Sequence, residues 1–117
     1  ALRSSLAAPA MTSWVDPGDT RLLEADLLRA AELARSSGIP LYLLVYPQPD
    51  AHPELERAIQ RAGGAAGGPV IDPRPSLEAE LRSGTAWEDL FVADGHPTTR
   101  GYRLIGEEVA RVLTGQR

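Results

Sequence analysis

"LLRAAELARSSGIPLYLLVYP", residues 27–47, decides how the chain is read. Its first half repeats apolar residues at helical spacing and its second half is a short, almost wholly apolar run between prolines. Leu22, Leu23, Leu27, Ala30, Ala31 and Ala34 make one apolar stripe, so the spacing predicts a helix. Upstream, Asp16 is placed to cap it, Pro17 falls in the first turn and Asp19 suits its positive end. Gly38 supplies the stop, with Pro40 beyond. The following "IPLYLLVYP", residues 39–47, is apolar at both alternations. That pattern predicts a strand buried on both faces, as in a parallel sheet covered by helices, with Pro47 ending it.

Working outward, "PDAHPELERAIQRAGG" (residues 49–64) predicts a second helix starting near Pro53. Gly63, Gly64, Gly67 and Gly68 then read as a loose loop. "PVID" (69–72) is a short second strand, and "PSLEAELRSG" (75–84) a short helix with Ser76 as its cap. The last helix opens at Thr98 or Thr99. Tyr102, Ile105, Val109 and Leu113 fall on one face of it, with Tyr102 in the core. Residues 1–15 have weak periodicity and read as an irregular lead-in. Helix and strand alternate as in an α/β layered fold. Two strands, or three with "LFVA" (90–93), fall short of the usual width of about 4–6. The expectation is therefore the incomplete C-terminal portion of a larger α/β domain, over residues 16–114.

Composition narrows the function. With 117 residues, 43% hydrophobic and 24% charged, the chain is sized for one modest domain. No apolar run reaches the roughly 20 residues of a membrane helix, and no leader pattern opens the sequence, which starts at Ala1 rather than Met. Net charge is −4, and all 12 basic residues are scattered arginines, which argues against nucleic acid. The absence of cysteine removes thiolate chemistry and disulfides. No metal or organic cofactor is implied; Asp72, Asp94 and His96 lack any recognisable ligand spacing. Nothing indicates a compartment.

Asp94-Gly95-His96 is the candidate for chemistry. Two residues apart with glycine between, the carboxylate can reach Nδ1–H of the imidazole and leave Nε2 to take a proton from a hydroxyl. The same residues also suit a purely structural loop before a capped helix, in which case the chain is a small non-catalytic α/β interaction module. Asp89 is a weaker alternative acid. His52 reads as capping or solvent-exposed. Pro47, Gln48, Asp50 and Asp72 follow strands at the edge where open sheets bind ligands, or are plain turns. Trp14 and Trp87 read as packing anchors.

"DLFVADGHPTTRGYRLIGEEVARVL" (89–113) resembles the last block of the SGNH, or GDSL-type, hydrolases, in which a carboxylate and the catalytic histidine share one loop before the terminal helix. "LLRAAELARSSGIPLYLLVYP" and "GPVIDPRPSLEAEL" (68–81) are similar to the helix, strands and crossing upstream of it. The resemblance spans roughly residues 20–113. It implies a three-layer flavodoxin-like fold, His96 as general base with Asp94 behind it, and an esterase or related O-acyl (acetyl) transferase acting on a small-molecule or carbohydrate ester. Two departures stand out. Many members have Asp-x-x-His, where this chain has Asp-x-His. The family's Gly-Asp-Ser nucleophile is absent, as is asparagine altogether. None of Ser4, Ser5, Ser13, Ser36, Ser37, Ser76 and Ser83 follows a strand in a strained turn. The nucleophile and oxyanion blocks are therefore expected outside this chain.

Overall fold

A computed structural model describes residues 17–48 and 53–115. Along the chain lie α1 (Pro17–Ser36), β1 (Leu43–Leu44), α2 (Pro53–Ala66), β2 (Val70–Ile71), α3 (Arg74–Arg82), α4 (Trp87–Leu90) and α5 (Thr99–Leu113). Among the described residues the fold is mostly helical, with one small two-stranded parallel sheet, and is α/β-like. Asp16 and the lead-in at 1–15 lie outside the described residues. The chain divides into two compact units: 17–45 with 53–71, and 46–48 with 72–115.

In the first unit α1 packs along α2. Ala31 is buried and Leu23, Leu27 and Ala34 half-buried, but Leu22 and Ala30 of the expected stripe face solvent. Glu24 accepts two hydrogen bonds from Arg61, at 2.5 and 2.7 Å, and Arg35 donates to the Ala65 carbonyl at 2.9 Å. The helix ends as expected at Gly38, where the Gly38 and Ile39 amides bond back to the Arg35 and Ala34 carbonyls.

β1 pairs with β2 in the register Leu43↔Val70 and Leu44↔Ile71, and Val45 N–H extends the ladder to the Ile71 carbonyl at 2.8 Å. The strand is much shorter than 39–47 and is not buried on both faces. Leu41, Leu43 and Val45 turn inward, while Tyr42 and Leu44 are 42% and 38% exposed. With α2 packed against the two strands, one side of the run is buried more deeply than the other, so it alternates in burial though not in composition.

α2 also departs from expectation. It continues through Gly63 and Gly64 to Ala66 instead of stopping before a glycine loop. Packing explains this: Gly63 is buried, and an added Cβ would overlap the Val70 Cγ2 methyl. Glycine there permits close approach of helix and strand.

The second unit is built on a core of Leu77, Trp87, Leu90, Phe91 and Ile105, with Leu81, Leu104 and Val109 packed against it. The Trp87 and Phe91 rings stack at 4.4 Å, so Trp87 is a packing anchor; Trp14 lies outside the described residues. Ser76 is not a cap. α3 begins after Pro73, and Asp72 instead accepts from the Arg74 amide at 3.0 Å and its guanidinium at 2.8 and 2.7 Å. Ser76 sits within α3, where its Oγ accepts from Arg111 at 3.1 Å. The candidate strand 90–93 is replaced by α4 and a single bridging residue, Phe91. On α5 the inward residues are Gly101, Leu104, Ile105, Glu108 and Val109. Tyr102, expected in the core, is 56% exposed, because Thr98 as N-cap sets the helix phase with Gly101 on the inner side.

Candidate functional site

The segment between α4 and α5 is a short hairpin with a hydrogen-bonded stem. Phe91 and Pro97 form an antiparallel bridge, and the Thr98 amide donates to the Leu90 carbonyl at 2.8 Å. The Thr98 hydroxyl donates to the Asp89 carbonyl at 2.5 Å and accepts from the Gly101 amide at 3.2 Å, capping α5. Gly101 presses so closely on the Leu90 carbonyl and Pro97 that no Cβ would fit. Leu90 and Phe91, fully buried, tie this stem to the core.

At the tip, Val92 N–H donates to the His96 carbonyl at 2.8 Å and Gly95 N–H to the Val92 carbonyl at 2.9 Å. Gly95 has φ +92°, a conformation that L side chains rarely adopt. This turn doubles the chain back so that residues 94 and 96 meet. Asp94 Oδ1 accepts from the His96 backbone amide at 3.1 Å and lies 2.9 Å from His96 Nδ1. Asp94 thereby closes an Asx-type turn and orients the ring at the same time. Both side chains are exposed, His96 by 64% and Asp94 by 68%. The His96 ring, then the His96 amide, hold the Asp94 carboxyl below its ordinary range. With Nδ1 engaged, Nε2 is the nitrogen left to exchange a proton.

Residues 46–48, next in the chain after Val45, belong to this unit. Burial pushes the Tyr46 hydroxyl up, helped by the negative charge of Asp94 and by Tyr102. Gln48 is buried, not lining an open cleft, and its carboxamide lies against Gly95. Sequence reasoning placed Gln48 at a strand edge but missed both its partner and Tyr46. The available signal was that residues 46 and 48 project to one side of an extended segment.

Of the other candidates, Asp72 is bound to Arg74, and Arg74 holds its carboxyl below the usual range. Asp94, and not Asp89, is the partner of His96; Asp89 contributes its backbone carbonyl to the stem. Pro47 is half-buried, while Asp50 and His52 lie outside the described residues. Ser76 is bound to Arg111, and Ser83 donates to the Glu80 carbonyl at 2.7 Å. Among the described residues no serine hydroxyl bonds to His96, and no three His, Cys, Asp or Glu side chains converge as metal ligands. None of the helices described is long and apolar enough to cross a membrane. Comparison of the chain with protein-family models, curated proteins and solved structures finds no match.

Proposed function

We propose that the chain is the C-terminal part of an SGNH- or GDSL-type serine esterase, or a related O-acyl (acetyl) transferase, within a three-layer flavodoxin-like domain. The observation that carries this reading is the 2.9 Å contact between Asp94 Oδ1 and His96 Nδ1 in an exposed loop ahead of a capped helix. A carboxylate on Nδ1 fixes the ring tautomer and stabilises the imidazolium, which is what a general base for a hydroxyl requires. A serine from outside this chain loses its proton to His96 Nε2 as its oxygen adds to the ester carbonyl. The alkoxy group leaves with that proton, giving an acyl-serine. Water or an acceptor hydroxyl then takes the acyl group by the reverse sequence of proton transfers. The substrate is a small-molecule or carbohydrate ester.

The test compares the product of the complete reading frame with the 117-residue chain in p-nitrophenyl acetate hydrolysis. The longer protein is expected to turn over, and the chain alone not. His96→Ala is expected to lower kcat at least about 10³-fold, and Asp94→Asn by less. Turnover indifferent to His96→Ala would defeat the reading, as would a reading frame with no serine block.

A further inference from the structure

Gln48 is 2% exposed, and neither Oε1 nor Nε2 has a hydrogen-bond partner among the described residues. A buried amide left unpaired is destabilising. Leu or Met would fill similar volume without that cost, so volume alone does not account for glutamine here. Its placement does. An ideal Cβ built on Gly95 would lie 2.6 Å from Gln48 Oε1, 3.0 Å from Cδ and 3.2 Å from Nε2. Those three distances place the Cβ position above the plane of the carboxamide and nearest its oxygen, so Gln48 turns the oxygen side of its flat face toward Gly95. A planar group of that length is thin, whereas the tetrahedral end of Met or Leu is not.

We infer that Gln48 is the positioning residue for the Asp94–His96 pair: its buried carboxamide lies face-on beneath Gly95 and is the floor on which the turn is folded. Two constraints then meet at position 95. The positive φ calls for glycine, and any side chain there would have to displace the buried amide. Because Gly95 lies between the two paired residues, any shift of this floor changes the distance from carboxylate to ring. The catalytic meaning of this inference rests on the hydrolase reading above. The pairing does not, so the experiment reads titration and not turnover.

The carboxyl carbon of Asp94 is followed by NMR against pH in the 117-residue chain, with the amide signals of Leu77, Leu90 and Ile105 reporting an intact core. In the unaltered chain the Asp94 midpoint is expected below the ordinary carboxylate value, because the His96 ring and amide both favour the carboxylate. Gln48→Ala is expected to raise it while the core signals stay in place. Gly95→Ala is expected to raise it further, and Gly95→Ala with Gln48→Ala to bring it part of the way back, because truncation removes the clash but not the φ strain. Should Gln48→Ala fail to fold, Gln48→Met is read in the same way, with its bulkier end expected to raise the midpoint. An unchanged midpoint in a folded position-48 variant overturns the inference. So does a response to Gly95→Ala that is the same whichever residue stands at 48.

Discussion

The hairpin at 91–97 and the strand pair at 43–44 and 70–71 are both short, yet they are held in opposite ways. The hairpin has hardly any regular secondary structure. It is fixed by the Phe91–Pro97 bridge, the Thr98 cap and two fully buried side chains at its base. The strands are regular and paired in register, but Tyr42 and Leu44 remain exposed on one face. What separates them is anchorage. A loop whose stem is buried can hold two side chains at hydrogen-bond distance, while two residues of ladder cannot by themselves bury their own apolar surface.

That contrast can be broken by experiment, and the largest effect is expected at the anchor. Phe91→Ala removes a fully buried ring that stacks on Trp87, and urea denaturation should show a loss of about 3–5 kcal/mol. A loss below about 1 kcal/mol would mean that the stem is not held by its core residues. Thr98→Ala should come next, at about 1–2 kcal/mol, because it deletes the α5 cap together with the bond to the Asp89 carbonyl. If thermal melts of this variant match the parent, the hairpin is fixed by packing alone.

Asp72→Asn tests a partly exposed ion pair beside the same core and should cost at most about 1 kcal/mol near neutrality. Arg74 lowers the folded-state pKa of Asp72 below its ordinary value of 3.8. The carboxylate therefore contributes stability above that ordinary value and loses it as pH falls through the lowered one. Denaturation curves of parent and variant should converge under acid conditions, and a gap that persists there would assign the effect to something other than the pair. Leu44→Ser should have the smallest effect, within about 0.5 kcal/mol. A large loss would show that this face is covered in solution and would erase the contrast.

The parts legible in the sequence were those fixed by neighbours in the chain. The extent of α1 up to Gly38, the Thr98 cap and the Asp94-Gly95-His96 turn each depend on a few consecutive residues. Residues 39–47 read as buried on both faces because apolar composition records what a strand can bury and not which face another element covers. Gly63 read as part of a loop because the close approach of Val70 is a tertiary fact. Ser76 falls inside α3 because the helix already starts after Pro73, where the Asp72 carboxylate accepts from the Arg74 amide. Tyr102 was assigned to the core from a periodicity that fits nearly as well one position away. The face-on contact of Gln48 with Gly95 joins residues far apart in sequence, and no local pattern announces it.

The overlap avoided at Gly63 has a consequence for how the first unit forms. Cut out as a 14-residue peptide, α2 would be marginal, since isolated helices of that length barely hold in water and each internal glycine costs roughly 1 kcal/mol against alanine. Its C-terminal turns gain their reason to be helical only once the valine methyl seats in the notch. Helix and strand should therefore order in one concerted event, and the peptide spanning 53–71 should gain helicity that the peptide ending at 66 lacks.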